Sequence, residues 1–99
     1  MNKKLSNNQK LNKARIEIDK IDAKLFPLIV KRSKMVNMAL ESKTKKSQII
    51  DQKRIKSILT RVGRAAKLKS ANPILIKSIW KSMIWNFIDY EKKEFKKKK

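Results

Sequence analysis

Residues 11–32 read L-N-K-A-R-I-E-I-D-K-I-D-A-K-L-F-P-L-I-V-K-R, and the spacing of their apolar side chains decides the fold class. Leu11, Ala14, Ile18, Ile21, Leu25 and Leu28 step by three and four, and Met35 and Ala39 continue the stripe. That spacing keeps apolar groups on one side of a helix and gives a heptad-like seam. It predicts one helix over residues 11–42. Pro27 opposes this, because an interior proline removes a backbone hydrogen bond and costs about 3 kcal/mol. The seam stays in phase past the proline, so we read one helix with room for a bend. Thirty-odd helical residues span roughly 45 Å, too long to pack inside a 99-residue monomer. A seam of that length calls for a partner chain.

The rest of the chain repeats the pattern. Residues 43–48 are polar and read as a loop. A second helix is expected over residues 50–68, with Ile55, Ile58, Leu59, Val62, Ala65 and Ala66 on one face. Residues 69–72 form a second joint. Asn72 suits an N-cap and Pro73 suits the first helical position. A third helix is expected over residues 73–95, striped by Ile76, Ile79, Trp80, Met83, Ile84, Phe87 and Ile88. No stretch alternates as a strand would. The expected fold is all-α, with three helices per chain, a long first helix and an intertwined homodimer. Residues 1–10 read as a flexible N-terminus, 11–95 as the single domain and 96–99 as a solvated lysine tail.

Composition narrows the chemistry. The chain has no cysteine and no histidine, which removes thiol nucleophiles, imidazole-based triads and the usual zinc ligands. No metal or cofactor is expected, and the missing cysteine fits a reducing, cytoplasmic setting. No apolar run is long enough to span a bilayer, so no membrane partner is expected. The formal net charge is +20. Such a charge favours polyanions, but Lys, Asn and Ile are over-used together, as in an AT-rich genome. Most lysines then read as solvated surface, and nucleic acid is not the expected partner.

The informative charges are those that fall on apolar stripes. Arg32 sits on the first seam between Leu28 and Met35, and Lys43 returns to within about 20° of that face. Asp51 falls on the apolar face of the second helix, with Arg54 beside it. Glu91 follows Phe87 on the third. A buried charge needs a partner. Arg32 could pair with Glu91 or Asp51 and fix helix register, and Glu91 could be solvated near the chain end. Cations outnumber anions on these faces, however, so an anionic ligand is the alternative.

The pattern R-x-x-I-D-x-I-D-x-x-L from Arg15, with Arg32 ten residues beyond Asp22, resembles the opening of the all-helical chorismate mutase family. The resemblance continues through Lys43, through D-Q-K-R at residues 51–54, and onto the third helix. It implies three helices per chain, with long first helices crossing in a dimer. It implies that Arg15, Arg32 and Arg54 bind substrate, Arg15 reaching into the other subunit's pocket. Lys43 and Glu91 match groups that face the substrate ether oxygen, and Asp51 a group near its hydroxyl. Ile55 and Phe87 complete the expected substrate contacts. Lys43, Glu91 and Arg54 are the expected catalytic residues.

One departure stands out. The family often has glutamate after the arginine matched by Arg54, and here Ile55 stands there. An apolar residue there, and the aromatic third helix, resemble isochorismate pyruvate lyases of the same fold, whereas Asp51 resembles the mutase. The activity expected from the resemblance is the rearrangement of chorismate to prephenate, a step in aromatic amino acid biosynthesis. The lyase and a basic nucleic-acid-binding protein are the alternatives.

Overall fold

The computed structural model describes residues 4–97. In chain order it holds α1 (Asn7–Glu41), a 3₁₀ turn (Lys46–Gln48), α2 (Gln52–Leu68) and α3 (Pro73–Lys97). Among the described residues there is no strand, and the all-helical, three-helix reading holds. Residues 1–3 of the expected N-terminal segment and Lys98 and Lys99 of the lysine run lie outside the described residues.

The helix boundaries follow from capping chemistry. α1 starts at Asn7, four residues before the stripe begins, because Ser6 and Gln9 form a capping box. The Ser6 N–H donates to Gln9 Oε1 at 2.8 Å, and the Gln9 N–H donates to Ser6 Oγ at 3.2 Å. Two of the donors that a helix start leaves open are thereby satisfied. Pro27 does not break the helix, which runs unbroken to Glu41. Ala23, whose carbonyl loses its usual donor at the proline, is exposed to water.

α2 begins at Gln52 because Asp51 caps it, its Oδ1 accepting the Arg54 N–H at 3.0 Å. This corrects the expectation that Asp51 lies on the apolar face of the second helix. It stands one residue before the helix and is exposed. α3 begins as expected, with Asn72 Oδ1 accepting the N–H groups of Ile74 and Leu75 at 2.9 and 3.2 Å. It runs two residues past its expected end, to Lys97.

The chain divides into two compact units, Met1–Lys34 and Met35–Lys99. The first contains most of α1. Its apolar stripe is bare in a single chain, with Ile21 60% and Leu28 62% exposed. The second contains the last turns of α1, the 3₁₀ turn, α2 and α3, and its core is formed by Leu40, Ile49, Ile58, Ile84, Ile88 and Phe95. Ile55, Leu59, Val62, Trp80 and Trp85 pack against that core. Each such side chain contributes roughly 1.5–3 kcal/mol when fully buried. Ile50 and Ile55 stand on either side of the Asp51 cap at the positions of a hydrophobic staple, and both pack on the core. Four residues of the expected stripes in this unit, Met35, Ala39, Ala65 and Ile79, are exposed instead.

α2 ends in a Schellman motif. Ala71 N–H donates to Ala66 O at 2.8 Å, and Ser70 N–H donates to Lys67 O at 3.1 Å. The motif requires a left-handed residue after the cap, and Ser70 supplies it at φ 57°. A serine there carries a Cβ penalty that glycine lacks. Ser70→Gly is therefore expected to raise stability by roughly 0.5–1 kcal/mol, read as a higher urea midpoint at unchanged slope. A lower midpoint would contradict this reading of the turn.

Candidate active site

The candidate residues separate by unit. Arg15 and Arg32 both lie in the first unit, on α1. Arg15 is exposed and Arg32 half-buried. Their positions are seventeen steps apart on one helix, about 25 Å along the axis and about 100° around it. Two arginines so placed cannot grip the two ends of one small dicarboxylate from a single chain.

The second unit brings Lys43 and Glu91 together. Lys43 stands just past the end of α1, and its N–H donates to Leu40 O at 3.0 Å, so its backbone extends the helix's last turn. Leu40 is buried in the core, which anchors that turn. Glu91 lies on α3 one turn beyond Ile88 and one turn before Phe95, both buried. It is itself only 6% exposed, so the reading of Glu91 as a solvated residue near the chain end fails. Lys43 Nζ lies 3.0 Å from Glu91 Oε1.

The exposures of the two side chains matter. Glu91 keeps 8% of its side-chain surface and Lys43 keeps 20%. The Glu91 side chain is thus nearly dry, whereas part of the Lys43 side chain stays exposed. An ion pair in such a place gains from low dielectric and loses from desolvation, and it holds when geometry and hydrogen bonding are good. Among the described residues no buried side-chain nitrogen or oxygen lacks a partner.

A second polar bond joins the same elements. Tyr90, next to Glu91, donates its hydroxyl to Asn37 Oδ1 at 2.7 Å. The sequence reading missed this pair. An amphipathic tyrosine beside a site residue, with its hydroxyl in need of a partner, was the available signal. Together the two bonds set how the last turns of α1 sit on α3, and hence where the Lys43 ammonium points.

The other candidates are distributed around α2 and α3. Arg54 is exposed in the first turn of α2, where its backbone N–H is spent on the Asp51 cap. Ile55 is half-buried and packs on the core, so the residue that replaces the family's glutamate serves packing in this chain. Phe87 is half-buried on α3. The chemistry this set offers is charge placement, with the Lys43 cation on a nearly dry carboxylate and no thiol or imidazole in the whole chain.

The model of the chorismate mutase type II family matches residues 14–92, from just before Arg15 to just past Glu91. The chain belongs to the chorismate mutase type II family. No curated protein and no solved structure matches it. The matched segment includes every candidate residue, all of α2 and most of α1 and α3. The family is all-helical, as this chain is. Among the described residues no helix is long and apolar enough to cross a membrane.

The asymmetry of the ion pair gives a stability test. Lys43→Ala leaves a dry carboxylate without its ammonium and is expected to cost about 2–3 kcal/mol, below the range for fully buried pairs because Lys43 touches solvent. Glu91→Gln keeps an acceptor for Lys43 and is expected to cost less than half as much. Urea denaturation of the two variants checks the order, and equal losses would contradict it.

Proposed function

We propose that the chain is a chorismate mutase acting as a homodimer, which rearranges chorismate to prephenate. The observation that carries this reading is the Lys43–Glu91 pair, its glutamate buried and its lysine partly exposed, at the positions the resemblance assigns to the ether oxygen. The reaction is an intramolecular [3,3] shift. One carbon–oxygen bond breaks as one carbon–carbon bond forms, with no nucleophile and no proton transfer in that step. A chain without cysteine or histidine suits such chemistry.

In this reading Arg32 of one chain and Arg15 of its partner hold the two substrate carboxylates in fork geometry. The roughly 25 Å between the two positions in one chain supports a shared site. Holding both ends compact removes rotational freedom before the reaction. Negative charge grows on the ether oxygen as its bond lengthens. Lys43 donates to that oxygen and Arg54 adds a second cation, a stabilisation that grows toward the transition state. Asp51 spends Oδ1 on its cap and offers its second oxygen to the substrate hydroxyl. Phe87 and Ile55 supply apolar wall. We place the enzyme in the cytoplasm on its cysteine-free composition.

In this reading the Glu91 carboxylate holds the Lys43 ammonium in place, and Glu91→Gln keeps an oxygen for that bond while adding an amide donor. The glutamine variant is expected to retain most of the prephenate formation from chorismate, whereas Glu91→Ala is expected to lose most of it. Equal activity of the two variants would contradict the role.

A second reading rests on Ile55. Without a carboxylate after Arg54 the hydroxyl side of the substrate is held less firmly, as suits an isochorismate pyruvate lyase on the same fold. Purified protein incubated with chorismate, and separately with isochorismate, distinguishes the two by chromatography of products. Prephenate from chorismate is the expected result. Salicylate and pyruvate from isochorismate alone would make the lyase the activity.

A further inference from the structure

α2 carries charge of one sign only. Lys53, Arg54, Lys56, Arg61, Arg64 and Lys67 lie within it, and it contains no carboxylate. The other two helices differ: α1 contains Glu17, Asp19, Asp22 and Glu41, and α3 contains Asp89, Glu91 and Glu94. Codon usage rich in A and T explains many lysines, but it does not sort acids away from one face.

The placement is specific. Ile55, Ile58, Leu59, Val62 and Ala66 mark the side of α2 that meets the core or is buried. Lys53, Lys56, Ser57, Thr60, Arg61 and Arg64 lie on the opposite side, all exposed. They line a shallow open groove of about 630 Å³ on the helix surface. Ala65 and Leu68 complete its lining. No ion pair among the described residues engages any of these four cations.

We propose that this outer face of α2 binds the phosphate backbone of nucleic acid without reading its sequence. From Lys53 to Arg64 the cations cover about 16 Å of helix axis. A duplex presents roughly ten phosphates over that length. Arginine forks and serine and threonine hydroxyls are groups that hold phosphate oxygens. The groove has no aromatic side chain to stack on a base and no amide to pair with a base edge. A membrane is the poorer fit, because the apolar side of α2 is spent on the core and is unavailable for insertion. The face excludes Arg54 from its groove, so it is separate from the residues proposed for the mutase reaction, and its test needs no turnover.

The test is fluorescence anisotropy with a labelled DNA duplex of about 20 base pairs, titrated at several salt concentrations. Wild-type protein is expected to bind near physiological salt, equally on unrelated sequences. The quadruple variant Lys53→Gln, Lys56→Gln, Arg61→Gln, Arg64→Gln is expected to lower the slope of log K against log salt by about 3–4, since each cation neutralises about one phosphate. A control that replaces Lys10, Lys13, Lys20 and Lys24 of α1 by glutamine removes the same charge and is expected to change the slope by less than about one. The single variant Arg64→Gln, expected to lower it by about one, serves if the quadruple variant fails to fold. Equal losses in the two quadruple variants would overturn the proposal, since net charge alone would then explain binding. So would the absence of binding at physiological salt, or equally tight binding of a polyglutamate of matched charge.

Discussion

A helix of 35 residues in a chain of 99 is the constraint on which everything else depends. It reaches about 52 Å, and its apolar stripe is bare along the first unit. Apolar surface of that extent is stable in water only when something covers it. The same length separates Arg15 from Arg32. One geometric fact therefore makes two demands, an apolar cover and a second chain to complete any site that uses both arginines. The proposed closed two-fold dimer would meet both at once, the surface that covers also delivering the missing arginine.

The second unit holds the other candidate residues and positions them by a different route. Here the core is complete within one chain, and it holds a charged pair at its edge. Leu40 fixes the last turn of α1, Ile88 and Phe95 fix the turn of α3 that carries Glu91, and Lys43 is positioned between them by backbone rather than by its own flexible stem. Asn37 and Tyr90 repeat the link one residue away on α3. Such bracing restrains the Lys43 side chain while leaving part of it exposed. Precise placement is what electrostatic catalysis requires, because a misdirected donor stabilises the ground state as much as the transition state.

Much of this was legible in the sequence. The unbroken phase of the stripe across Pro27 outweighed the proline itself, and α1 runs through it. Asn72 and Pro73 marked the start of α3 to the residue. Glu91 on the α3 stripe announced a buried charge, and the structure buries it with a cation. Asp51 was misread for a physical reason. Counting by 3.6 carries a face backward past the helix start, whereas an N-cap has left the helix and turned its side chain to the backbone. The Ser6–Gln9 box was readable from its spacing alone, but it lay ahead of the apolar stripe and gave no periodic signal. Tyr90 and Asn37 are 53 positions apart, and no local pattern joins residues so distant.

The most direct measurement is complementation between two inactive chains. Arg15→Ala and Arg32→Ala are each expected to abolish mutase activity alone. Mixed in equal amounts, unfolded and reassociated, they are expected to recover about a quarter of wild-type activity, because half the dimers are mixed and one of the two sites in each retains both arginines. No recovery, with mixed dimers demonstrated by two affinity tags, would contradict a site shared between chains.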